Sequence, residues 1–131
     1  MRKNSKNFQD WLLKAEHDLK AAEGIVGYYE EPPTDMVCYH CHQVAEKALK
    51  AFLVSRGKEL PRIHDLVALL SLCIEEESSL EMMRNELRVL NKYFIETRYP
   101  PDMPIEYPRD EAVGALHLAG VVLKIVNEKI E

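Results

Sequence analysis

The sequence predicts an all-α protein: an antiparallel, up-and-down bundle of about five helices in a single domain over residues 1–131, its core running from about residue 8 to residue 130. Two observations carry that reading. Apolar residues recur at spacings of three and four in five separate segments, and the period-two alternation of a half-buried strand is missing throughout. Helical stretches joined by short breaks then favour antiparallel neighbours.

In the first helix Leu12, Ala15, Leu19, Ala22 and Val26 form the apolar stripe, with Lys14, Asp18 and Glu23 off it. Asp10 is placed to cap its start, and Tyr28 to Pro33 forms the break after it. A second helix begins near Thr34 or Asp35, turns Val37, Cys41, Val44, Ala45, Ala48 and Phe52 inward, and ends at Gly57. Ile63 to Glu77 reads as a shorter third helix with Leu66, Leu69, Leu70 and Cys73 buried. Ser78 or Ser79 caps a fourth, whose stripe is Leu80, Met83, Leu87, Leu90 and Phe94. Prolines at 100, 101, 104 and 108 forbid helix in the loop from Tyr99 to Pro108. So long a connection in a small bundle is often functional. Arg109 or Asp110 opens the last helix, with Ala112, Ala115, Ala119, Val122, Val126 and Ile130 facing inward. Its small residues, Gly114 and Gly120 among them, allow close helix approach, serving either the internal core or a second copy of the chain.

Composition narrows the function classes. An apolar fraction of 47% and a charged fraction of 30% are those of a globular domain. No apolar run approaches the roughly 20 residues of a membrane span, and the first residues lack a secretory signal, so a cytoplasmic protein is expected. Cys38, Cys41 and Cys73 are read as reduced, partly buried thiols. A net charge of −5 means that a polyanion must be held by a local basic cluster working against the overall field.

Three clusters carry candidate chemistry. Cys38, His40, Cys41 and His42 are metal-ligand types, but on a helix residue 40 points away from the other three, and no second ligand pair follows elsewhere. Neither a metal nor a cofactor is expected; Cys41 belongs to the core, with His40 and His42 on its margins. Arg84, Arg88 and Lys92, spaced by fours, form a basic ridge running toward Arg98. Arg98, Tyr99 and Arg109 can combine a guanidinium fork with a stacking ring, as a nucleotide or single-stranded RNA requires. The alternative is that Arg98 pairs with Glu96 or Glu106 and pins the loop. Last, His64 and Asp65 open the third helix, where His64 can cap or, if a substrate reaches it, serve as a general base. The five glycines are scattered, so no glycine-rich phosphate loop occurs.

Taken in order, Trp11-Leu12, Ala15-Glu16, Asp18-Leu19, His40, the run from Gln43 to Ala51, His64-Asp65-Leu66, Leu90-Asn91, Tyr93 and Thr97-Arg98-Tyr99-Pro100 resemble the HEPN domain family (higher eukaryotes and prokaryotes nucleotide-binding). His42 stands where such proteins often carry a second glutamine. The resemblance implies a helical bundle that forms a homodimer, often beside a small nucleotidyltransferase in a toxin–antitoxin pair. It implies either a nucleotide-, RNA- or partner-binding module, or a metal-independent ribonuclease built on an arginine followed a few positions later by a histidine. Arg98 has no such histidine after it; Arg109 and His117, with His64, are the catalytic candidates that remain. A purely structural partner subunit is the third alternative.

Overall fold

The computed structural model describes residues 6–94 and 107–130. Among them are five α-helices and no strand: α1 (Phe8–Tyr28), α2 (Thr34–Ser55), α3 (Leu66–Glu76), α4 (Arg84–Asn91) and α5 (Arg109–Ile130). A 3₁₀ helix, Ser78–Met83, leads into α4. No helix among these residues is long and apolar enough to cross a membrane.

The bundle is organised around α2. Thirteen of its 22 residues are buried, against two in α1, and it packs on α1, α3, α4 and α5. A helix enclosed on so many sides should be apolar nearly all round. Val37, Cys38, Cys41, Val44, Ala45, Ala48, Leu49 and Phe52 meet that demand and form the centre of the core. The expected stripes on the other helices face the same centre. Leu66, Leu69, Leu70 and Cys73 of α3 are fully buried, as are Leu80, Met83, Leu87 and Leu90 on the 3₁₀–α4 segment. On α5, Ala112, Ala115, Ala119, Val122 and Val126 pack inward, so these small residues serve the interior. Burial pushes the thiols of Cys38, Cys41 and Cys73 up to about 12, which leaves them protonated and chemically quiet.

The helix ends explain where the chain departs from its sequence-level reading. Asn7, not Asp10, caps α1 by accepting from Gln9 N–H. The residue preceding α2 is Pro33, which has no capping side chain; the Thr34 hydroxyl instead donates to the Tyr107 carbonyl at 2.8 Å and ties this end to the start of α5. Gly57 does end α2. Its φ of +73° supports two closing bonds, Gly57 N–H to the Val54 carbonyl and Lys58 N–H to the Leu53 carbonyl. Asp65, rather than His64, caps α3 by accepting from the Val67 and Ala68 amides, which moves the helix start to Leu66. Ser79 gives its hydroxyl to Glu77 instead of capping a helix, and the segment after it winds as 3₁₀ before relaxing to α at Arg84.

Asn91 joins the α3 cap to α4, donating to Asp65 at 3.0 Å and accepting from Leu66 N–H at 2.8 Å. Removing the cap frees two amide donors and the Asn91 amide together. Asp65→Ala is therefore expected to lower unfolding free energy by about 1–2 kcal/mol in urea denaturation with the helical circular-dichroism signal intact. Asp65→Asn, which keeps an acceptor, should lose less than half as much.

Candidate functional site

A polar stripe interrupts the apolar surface of α2. Tyr39, His40, Gln43, Glu46, Lys47 and Lys50 lie at helical spacing along one side of it, and each is buried or half-buried. Two carboxylates organise the stripe. Asp18, reaching across from α1, accepts from His40 Nδ1 at 2.9 Å and from the Lys47 ammonium. Its desolvation, which alone would raise its pKa, is outweighed by those two bonds and the charge of Lys47, and the carboxyl titrates below its ordinary range.

Glu46 is the second hub. Its side chain is 5% exposed, and it accepts from the buried Lys50 ammonium at 2.9 Å and from His64 Nδ1, which sits 3.0 Å from both carboxylate oxygens. The Lys50 ammonium also lies 5.8 Å from the centre of the Trp11 ring on α1. His64 is half exposed, with one edge of its ring anchored on the buried carboxylate.

Beside this hub stands a cluster of rings. Phe94, just past α4, stacks near-parallel with His64 at 4.6 Å, with His42 at 5.2 Å and with Tyr39 at 6.3 Å between ring centres. His42 is fully buried instead of lying at the margin of the core. Its Nε2 donates to the His64 carbonyl at 3.0 Å. Its Nδ1 lies 3.0 Å from Gln43 Oε1, an acceptor that favours a proton on that nitrogen. Burial lowers the His42 pKa against the opposing pull of Gln43 and Glu46, which keeps the ring uncharged.

The residues singled out from sequence are dispersed. Arg98 and Tyr99 lie outside the described residues, as do Glu96 and Glu106. Of the basic ridge, Arg84 is paired with Glu81, and Lys92 lies 3.3 Å from Glu111 while covering the ring of Tyr93; Arg88 is exposed. Glu111 also accepts from the Tyr93 hydroxyl at 2.6 Å, and burial followed by that bond raises the phenol's pKa. Arg109 is exposed at the start of α5 and borders a depression lined by Glu30, Glu31 and Asp35. His117 lies on a different surface, in a groove between α1 and α5 with Leu19, Glu23 and Lys124. Eight residues apart on one helix, about 12 Å by its rise, Arg109 and His117 do not meet within one chain. Among the described candidates, His64 belongs to the clustered site. Sequence reasoning missed Glu46, Lys50, Asp18, His40 and Phe94 as site residues. A signal existed in Glu46 and Lys50, an i,i+4 pair of opposite charges among the apolar residues of α2. Among the described residues no group of three His, Cys, Asp or Glu side chains is arranged to hold a metal ion.

An all-helical bundle whose most buried helix carries an ionic stripe, opening onto a histidine and stacked rings, is the class of protein that fold and site define. The family model for the HEPN domain matches residues 8–129, and the chain belongs to that family. The crystal structure of an archaeal HEPN homologue is similar to it, with 27% identity and a TM-score of 0.74 over 97% of this chain and 100% of that one. No curated protein matches the chain.

The burial of His42 sets a pH dependence. Its folded pKa is lowered from 6.5, so the unfolded chain binds the proton first as pH falls, and the stability that a neutral His42 supports is lost below that value. Thermal melts from pH 7.5 to pH 5 should show a falling midpoint. His42→Gln, which keeps a donor for the His64 carbonyl and does not titrate, should flatten that decline.

Proposed function

We propose that the protein is a nucleotide- or RNA-binding module whose ligand occupies the surface around His64, Phe94 and Tyr39. The observation that carries this reading is the ionic stripe of α2 ending at a half-exposed ring cluster. Buried ions are a costly way to hold a bundle together, and such groups concentrate at functional sites. Rings offer bases a sequence-tolerant stacking surface, and phosphates need guanidinium or ammonium groups nearby. Arg98 follows Phe94 by four residues in the chain and is the proposed phosphate ligand, with Tyr99 beside it. Arg88 is the member of the ridge best suited to assist, because Arg84 and Lys92 have carboxylate neighbours.

The working unit in this reading is a homodimer, formed through the outer face of α5 around Val113, Leu116, His117 and Val121. A Cβ at Gly114 or at Gly120 would meet nothing within 4 Å, so packing within the chain does not call for either glycine. Each costs the helix about 1 kcal/mol relative to alanine, and close approach of a second helix is the compensation proposed. Family membership supports a small nucleotidyltransferase as a protein partner, in a toxin–antitoxin type of pair in the cytoplasm. The ribonuclease alternative has less support, since Arg109 and His117 stand on separate surfaces.

Arg98→Ala should weaken binding of mononucleotides and single-stranded RNA about tenfold or more by calorimetry, the scale of one lost charge-assisted hydrogen bond. Unchanged affinity would remove Arg98 from the site. In light scattering Gly120→Leu should reduce the solution mass from two chains to one; a mass that stays at two chains would place the dimer contact elsewhere.

A further inference from the structure

We infer that Phe94 holds the place of a nucleobase, and that a base binds by displacing its ring from the socket made by Tyr39, His42 and His64. The inference rests on the nucleotide-binding reading above and adds where on that surface the base lies.

Phe94 is packed against rings from two separate elements, α2 and the connection before α3. Its ring centre lies 4.6 Å from that of His64, 5.2 Å from His42 and 6.3 Å from Tyr39, at interplanar angles of 21° to 27°. Most of the core is aliphatic, and a phenyl ring placed there only to fill space is served as well by leucine or valine neighbours. Three near-parallel rings suit a flat occupant instead. The socket is also held from behind. Fully buried His42 is bonded to the His64 carbonyl at 3.0 Å, and His64 Nδ1 to Glu46. Neither bond involves Phe94, so the socket keeps its shape when that ring moves.

Phe94 is placed to move. It is half-buried in a turn, three residues past Asn91, where α4 ends. The helix is anchored without it. Leu87, Leu90 and Tyr93 are fully buried, and the Tyr93 hydroxyl donates to Glu111 at 2.6 Å. Backbone rotation after Tyr93 can carry the Phe94 ring outward while these anchors stay in place.

The exchange favours a base over a phenyl ring. Apolar area uncovered as Phe94 leaves is covered again by the incoming base, and stacking is kept because every base has a π-face. A phenyl ring has no polar edge, whereas a base carries N–H and C=O groups along its own. The Tyr39 hydroxyl has no hydrogen-bond partner among the described residues, and it can either donate to such an edge or accept from it. Phe94 is thus a built-in competitor, and the apparent affinity is reduced to the fraction of molecules in which its ring is out.

A dye-labelled single-stranded oligouridylate, bound to the full chain and followed by fluorescence anisotropy, tests this. Phe94→Ala removes the competitor and should bind about tenfold more tightly than the wild type, the scale of one stacking contact that no longer has to be broken. A phenyl ring on which the base merely rests gives the opposite sign. Proton NMR of the wild type needs no variant: on saturation the Phe94 ring signals should move to those of an exposed phenylalanine, while those of Tyr39 and His42 stay shifted by a stacked ring. Equal or weaker binding by Phe94→Ala, or Phe94 signals that hold their positions at saturation, would overturn the inference and leave the binding reading standing. Failure of both proteins to bind would overturn both.

Discussion

A carboxylate taken out of water costs several kcal/mol unless it is partnered at close range, and Glu46 inside the bundle is bonded to Lys50 on the same helix and His64 from the following connection. That pairing constrains everything near it. Lys50 is held within reach of Trp11, which ties α1 to the same point, and His64 is drawn inward so that Asp65, one residue later, falls where it can cap α3. Asn91 then carries the cap across to α4, and Phe94 closes over the two histidines. One ionic contact is thus linked to four of the five helices described, through bonds whose geometry leaves little freedom.

The second carboxylate repeats the device nearer the middle of α1. Asp18 gathers His40 and Lys47 as Glu46 gathers His64 and Lys50, and both histidines present Nδ1 to the acid. Two histidine–carboxylate–lysine groups along α2, one shared with α1 and one with the connection before α3, are more than a bundle of this size needs to fold, since α2 already packs its apolar residues against every neighbouring helix. Hydrophobic isosteres commonly hold such positions equally well or better. Their use in place of leucine or methionine supports the proposal that the ligand binds on this side of α2.

Much of the fold was legible because burial in a helical bundle writes a period into the sequence. Leu66, Leu69, Leu70 and Cys73, or Ala112, Ala115, Ala119 and Val126, could be placed in the core from spacing alone. Helix ends were less legible, because a cap depends on which of several adjacent polar residues wins. Asn7 outcompeted Asp10, and His64 was unavailable as a cap because Glu46, eighteen residues earlier, had claimed it. That long-range pairing is also why most of the site was hidden. Glu46 and Lys50 look like ordinary helix-forming residues until the surrounding positions are seen to be enclosed. His42, judged marginal from its polarity, is fully buried because two acceptor and donor groups meet it there. His64 was legible only as a candidate without a partner, and Phe94 only as one more residue of an apolar stripe.

A double replacement of the central pair separates what folds the bundle from what the bundle is for. Glu46→Leu together with Lys50→Met fills the same space without charge. Urea denaturation and RNA binding measured on that variant should diverge, with stability equal to or above that of the wild type and affinity for single-stranded RNA lost. A variant that binds RNA as tightly as the wild type would contradict the account, as would one that unfolds because the ion pair was the bundle's own support.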